Sequence, residues 1–267
     1  MTREFSLAYL TLPGISPLEQ IRIAAEAGYD YVSLRTIPMG QPNEPQVILE
    51  SDPGLFRALR QQMESCGVRL LDIELVRIRE DQPADYRGAF ERGAALGAKH
   101  VLSSVWTKDF DFAAERYAAI CDQAAEFDLD VNMEFPIVSS MTTFRETVAM
   151  QKQVNKPNLK IFVDTLYAHL DRMTPEDFAS VAPEDYGIIH LCDCPKEMGD
   201  DITSVVRGGR EYCGLGQADL PMMLRALPEH PCSIELPNLK NMALYGPEGH
   251  ARRCLDTAKA LFAAHGL

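Results

Sequence analysis

Apolar runs and amphipathic stretches alternate along the whole of this chain. Residues 5–12 read as a first strand. Ser16-Pro17-Leu-Glu19 then offers a capping hydroxyl, a proline suited to the first helical position and an acid that completes a capping box. Gly28 suits the C-cap of that helix, and residues 31–35 form a second strand. A loop rich in Pro and Gln over 38–45 precedes a helix expected at 53–66 and a third strand from 68 that ends near Glu74. Residues 86–96, closed by Gly97, predict the third helix, and 100–106 the fourth strand. Helices at 113–127 and 143–154 flank a fifth strand that ends at Glu134, and a sixth strand ends at Asp164. Thr174-Pro175-Glu-Asp177 repeats the cap-then-proline start for a short helix before the seventh strand, which carries His190. A long loop to Gly216, a helix at 219–227, a last strand with Glu235 and a helix at 247–264 complete the pattern.

Eight strand–helix units in order predict an α/β fold with a parallel sheet. The strands are near-continuous apolar runs, as expected when both faces of a sheet are buried. Eight such units in 267 residues predict closure into a single (β/α)8 TIM barrel over 1–267, and no break in composition marks a second domain. The net charge of −13 argues against nucleic acid or an anionic membrane surface as partner, because phosphates need a basic footprint. No apolar stretch reaches the 18 or so residues of a membrane span, and the first residues lack a signal-type apolar region. A cytoplasmic location is therefore expected. Seven scattered cysteines, an odd count, predict free thiols rather than a disulfide framework.

Four strands end abruptly in chemistry-bearing residues: Met133-Glu134-Phe135-Pro136, Val163-Asp164-Thr165, Ile189-His190-Leu191-Cys192-Asp193 and Ile234-Glu235-Leu236-Pro237. The carboxyl ends of barrel strands are where such folds keep their active sites. Glu134, Asp164, His190 and Glu235 are 30, 26 and 45 residues apart in turn, so only a closed barrel brings them together. Any one of them could cap a strand or sit in a buried ion pair. All four at equivalent strand ends point instead to one divalent cation (Mn, Mg, Co or Zn), since unpaired buried carboxylates are costly. Such an ion polarises a carbonyl and stabilises the enediolate left when a neighbouring proton departs.

On these motifs, and on Arg210 to Gly214-Leu-Gly216, the chain resembles the xylose isomerase-like TIM barrels, which include sugar and sugar-phosphate isomerases and epimerases. The resemblance implies that Glu134, Asp164, His190 and Glu235 hold the metal. It also implies that Glu134 and Glu235 act as paired acid and base, one removing a proton next to the carbonyl and the other returning one. Many relatives carry histidine where this chain has Tyr167, and Asn or His where it has Pro136, so reaction and substrate are less firmly implied than metal. Lyases of the 3-dehydroshikimate dehydratase type and multi-metal endonucleases share the scaffold. The acidic charge and the lack of further metal-binding histidines weigh against an endonuclease. A non-catalytic ligand-binding barrel is the third alternative.

The substrate expected is a small molecule, polyhydroxylated and with an anionic group in view of Lys196, Arg207 and Arg210 in the loop after the seventh strand. Lys196 matches a substrate-contacting basic position in relatives. Tyr167, Arg35, Glu74 and Trp106 are further candidates for the pocket wall, although Glu74 could instead pair with Arg35. Gly214-Leu-Gly216 reads as turn chemistry rather than a phosphate cradle, and Cys192 with Cys194 lacks the usual zinc spacing. Homo-oligomerisation is left open by the sequence.

Overall fold

A computed structural model describes residues 3–41, 44–199 and 201–267, so Pro42 and Asn43 of the Pro- and Gln-rich loop lie outside the described residues. Eight parallel strands close into a barrel in the order β1 to β8. They are β1 Phe5–Leu7, β2 Tyr31–Arg35, β3 Arg69–Ile78, β4 His100–Val105, β5 Asp130–Glu134, β6 Leu159–Asp164, β7 Tyr186–Leu191 and β8 Cys232–Ile234. Register across the closing seam pairs Ser6 with Ser233 and Leu7 with Ile234.

The outer helices form where the start and stop signals predict them. Ser16 caps α1, Pro17–Ala27, and Gly28 ends it at φ 91°. Asp52 caps α2, Pro53–Cys66. α3, Arg87–Ala95, and α4, Phe110–Ala125, follow β3 and β4. Thr143 and Glu146 form a capping box at α5, Phe144–Val154, and Thr174 with Asp177 another at α7, Pro175–Ala179. Two short helices have no sequence signal of their own: α6, Thr165–Leu170, directly after β6, and α8, Ile202–Gly208, inside the long loop after β7. α9 is Leu220–Ala226.

Three expected boundaries move. The third strand runs past Glu74 to Ile78, so Glu74 lies inside β3 rather than at its end. The first strand stops at Leu7, and Tyr9–Thr11 curls into a 3-10 turn. There the Thr11 hydroxyl donates to the Ile234 carbonyl and accepts from the Leu236 amide, which ties the turn across the end of β8. The final helix, α10, begins earlier than expected, at Leu239 behind an Asn238 cap, and runs to His265. The sequence break at Gly246-Pro247 is a kink inside it, with Gly246 at φ 69°.

The barrel interior beneath the strand ends has two halves. Leu71, Leu102, Phe162 and Ile188 form an apolar cluster. Ser6, Ser233 and Asp72 converge on the Ser33 hydroxyl, which lies 3.0 Å from Ser6 Oγ and 3.1 Å from Ser233 Oγ and donates to Asp72 Oδ2. Burial, reinforced by the nearby Glu74 carboxylate, raises Asp72 from 3.8 to about 7. Between roughly pH 4 and 7 the folded protein therefore keeps a proton that the unfolded chain has lost. Stability falls as pH rises through that window. Asp72→Asn, which keeps the acceptor for Ser33, should be more stable than wild type at pH 8, by on the order of 4 kcal/mol, and nearly equal to it at pH 4. Urea unfolding at both pH values measures this, and no gain at pH 8 would refute it.

Candidate metal centre

Each of the four strand-end residues is aimed by its own element. Glu134 is the last residue of β5 and Glu235 follows β8 directly. Asp164 ends β6 and caps α6 at once: its Oδ1 accepts from the Leu166 amide at 2.7 Å. His190 sits beside Asp164 in the β6–β7 register, and its ring meets Phe162 edge to face with centroids 4.5 Å apart. All four are buried, and one ligand atom from each falls within 4.8 Å of the others.

The donor set fits a cation. His190 Nδ1 stands 3.5 Å from Glu134 Oε1 and 3.4 Å from Glu235 Oε2. Neither ring nitrogen of His190, nor Glu134 Oε1, has a hydrogen-bond partner although all are buried. Orphaned buried polar atoms are rare because each costs roughly 1–3 kcal/mol, and an ion shared by one His190 nitrogen and Glu134 Oε1 is the simplest partner for two of the three. Charge points the same way. Arg210 is fully buried and pairs with Asp164 Oδ2 at 2.6 Å and Glu235 Oε2 at 2.8 Å. Three carboxylates against one guanidinium leave two negative charges, the complement of a divalent ion.

Without a cation the cluster holds protons instead. Burial lifts Glu134 to about 7, with the Glu235 charge adding to the rise. At Glu235 burial opposes ionisation, but the His190 and Arg210 charges outweigh it and bring the group down to about 2. Burial works against a charged His190 as well, yet Glu235 and Glu134 hold its proton well above the usual range.

A cavity of about 390 Å³ opens over the quartet, with Glu134 and Glu235 in its lining. Arg35, Glu74, Trp106 and Tyr167 also line it. Arg35 and Glu74 are paired at 2.7 Å, and Arg35 reaches Glu44 at 3.1 Å as well. Glu44 had no local sequence signal, since its loop is recognisable only as Pro- and Gln-rich. Tyr167, on α6, has its hydroxyl 3.2 Å from an Arg210 amino group.

Two expected substrate contacts lie elsewhere. Lys196 is exposed on the loop after β7 and does not line the cavity. Arg210 is not at the cavity surface either. It lies behind the ligands, where Asp164, Glu235 and the Val206 and Glu235 carbonyls engage its guanidinium. The third cation of that loop, Arg207, stands exposed on α8 at the cavity wall. Gly214-Leu-Gly216 is turn chemistry as read: the Asp193 carboxylate accepts from the Gly214, Gly216 and Ala218 amides at 2.9–3.1 Å. A Cβ at Gly216 would lie 2.1 Å from the Cys194 carbonyl oxygen, so that approach requires glycine. Cys192 and Cys194 are free thiols, as are the other five cysteines.

The sequence model of the family described as xylose isomerase-like TIM barrel matches residues 21–260. No curated protein matches the chain. Among solved structures, an IolI protein with a bound zinc atom superposes with a TM-score of 0.82 at 18% identity, over 98% of this chain and 99% of that one. A D-allulose 3-epimerase from Methylomonas sp. in complex with D-allulose gives 0.70 at 18% identity, over 97% and 98%. A probable 3-DHS dehydratase, AsbF, from Bacillus anthracis gives 0.69 at 16% identity, over 99% of each chain. At these identities the likeness concerns the fold.

Proposed function

The chain belongs to the xylose isomerase-like TIM barrel family, and from that premise we propose that it is a divalent-metal-dependent isomerase or epimerase of a sugar or sugar acid. The observation that carries this is the convergence of Glu134, Asp164, His190 and Glu235 within 4.8 Å, with the two glutamates alone of the four exposed to the cavity. When bound, the ion would polarise the substrate carbonyl and stabilise the enediolate charge. Asp164 and His190, fixed by α6 and Phe162, would be two of its ligands. Glu134 and Glu235, which belong to the quartet and also line the cavity, would meet both the ion and the substrate. One takes the proton from the carbon next to the carbonyl, and the other returns a proton to it. The neighbours named for epimerisation of D-allulose and for zinc binding support this reading. A lyase on the same residues, supported by the dehydratase neighbour, would begin with the same proton abstraction but release water. Product mass separates the two.

Elemental analysis tests the centre. About one divalent ion per chain is expected in the wild type and none in the Asp164→Ala/His190→Ala double variant. Loading the metal-free protein at 1,000 times the dissociation constant should add about 4 kcal/mol and raise Tm by on the order of 10 °C. Ligation must displace the protons on His190 and, below about pH 7, on Glu134, so the shift should grow as pH rises from 6 to 8. A metal-free wild type with no thermal response after reconstitution would overturn the reading.

A further inference from the structure

The walls of the cavity are more selective than its floor. Two arginines line it among the described residues, and the inner one, Arg35, is fully engaged. Its Nε and one amino group donate to Glu74 Oε2, and the other amino group to Glu44 Oε1. Two carboxylates on one guanidinium leave that wall with a net negative charge. The floor is no more welcoming to an anion, because a divalent ion only cancels the two charges left by Glu134, Asp164, Glu235 and Arg210. A phosphate or carboxylate on the substrate would thus meet Glu74 without a free interior cation to compensate it. Arg207 is exposed, so any pairing there is weakened by water and salt.

Most of the remaining wall is apolar, with Tyr9, Gln41, Ser104 and Tyr167 as its polar members. Leu10, Pro13, Trp106, Pro136, Val138 and Leu239 face the cavity. Trp106 is fixed in place, its indole N–H donating to Ser104 Oγ at 2.8 Å. With that donor engaged, the ring offers a substrate only its apolar surface. A fully hydroxylated chain would need a partner for each hydroxyl it buries, and among the described residues the wall's buried, unpartnered acceptor, apart from the metal ligands, is Glu74 Oε1. A volume of about 390 Å³ lies within the range of roughly 300–1,000 Å³ usual for small-molecule pockets, which leaves room for a ring.

We propose that the substrate is a neutral hydroxy-carbonyl compound that carries a ring-sized apolar group. The hydroxy-carbonyl head sits at Glu134 and Glu235, and the apolar group lies against Trp106, Pro136 and Val138. This deepens the isomerase reading and rests on it for the placement of the head.

The test uses the full-length, Mn2+-loaded protein and three probes that share one hydroxyketone head: 2-hydroxyacetophenone, dihydroxyacetone and dihydroxyacetone phosphate. Calorimetry should find the aryl probe at least about tenfold tighter than dihydroxyacetone, the order expected for burying a ring. The phosphate should bind no tighter than dihydroxyacetone. Trp106→Ala should narrow the gap between the aryl probe and dihydroxyacetone severalfold, and Trp106→Phe should restore most of it. Equal affinities, no measurable binding of any probe, or a preference for the phosphate would each overturn the proposal. Exchange of the proton next to the carbonyl for deuterium, followed by NMR in D2O, is read in parallel. Its absence for every probe would count against the isomerase reading, whereas the affinity ranking alone decides the substrate class.

Discussion

Glu235→Gln, saturated with metal, is expected to lose about 10²- to 10⁴-fold in turnover, the usual contribution of a positioned acid or base. The amide is nearly isosteric and keeps an oxygen for the metal and for the 2.8 Å contact with Arg210. It cannot accept a proton from carbon. Glu134→Gln should fall by a comparable factor, since both carboxylates line the cavity and each serves one side of the exchange. The pair also predicts a qualitative signature. With one base removed, an epimer presented to the surviving carboxylate should still exchange its proton with D2O while conversion to the other epimer stops. Conversion and exchange falling together in both variants would indicate one base, and a metal-bound Glu235→Gln enzyme with full turnover would sink the assignment.

The barrel was legible in the sequence because its signals are local and redundant. Ser16-Pro17-Leu-Glu19 carries a cap, a first-turn proline and an acid within four residues, and Thr143 with Glu146 and Thr174 with Asp177 form real capping boxes. The quartet was legible for a different reason: a polar residue that stops an apolar run is conspicuous, and eight-fold closure fixes where the run ends. Side-chain partnerships across the barrel were not legible. Arg210 reads as one more basic residue near a glycine turn, and nothing within several positions shows that its guanidinium turns inward to Asp164 and Glu235. Lys196 has the spacing of a substrate contact, yet its loop leaves it in solvent. The Arg35–Glu74 pair could be suspected from adjacent strands, whereas Glu44 joins it from a loop without periodicity. The short first strand belongs with these cases, because Thr11 is held by β8, more than 220 residues away in sequence.

The largest stability effect should follow from removing the buried cation. Arg210→Met keeps most of the side chain's volume but leaves Asp164 and Glu235 without their guanidinium, and breaking a buried pair from one side costs about 3–5 kcal/mol. In EDTA, the variant should unfold at a temperature lower by on the order of 10 °C. Its pH dependence has a definite sign. Burial already raises Asp164 above its usual value, and Arg210 is the main influence opposing that rise. Without Arg210 the folded protein keeps the Asp164 proton to higher pH than the unfolded chain does, so stability should fall as pH increases. The deficit relative to wild type should therefore be larger at pH 8 than at pH 5. A divalent ion compensates the same carboxylates, so metal should raise the variant's Tm by more degrees than it raises that of the wild type. Thermal unfolding at the two pH values, with and without Mn2+, reads all of this at once. A variant as stable as wild type in EDTA at pH 8 would show that Arg210 is not what balances the cluster. A smaller metal-induced shift would instead mean that its main task is to hold Asp164 and Glu235 in the geometry the ion requires.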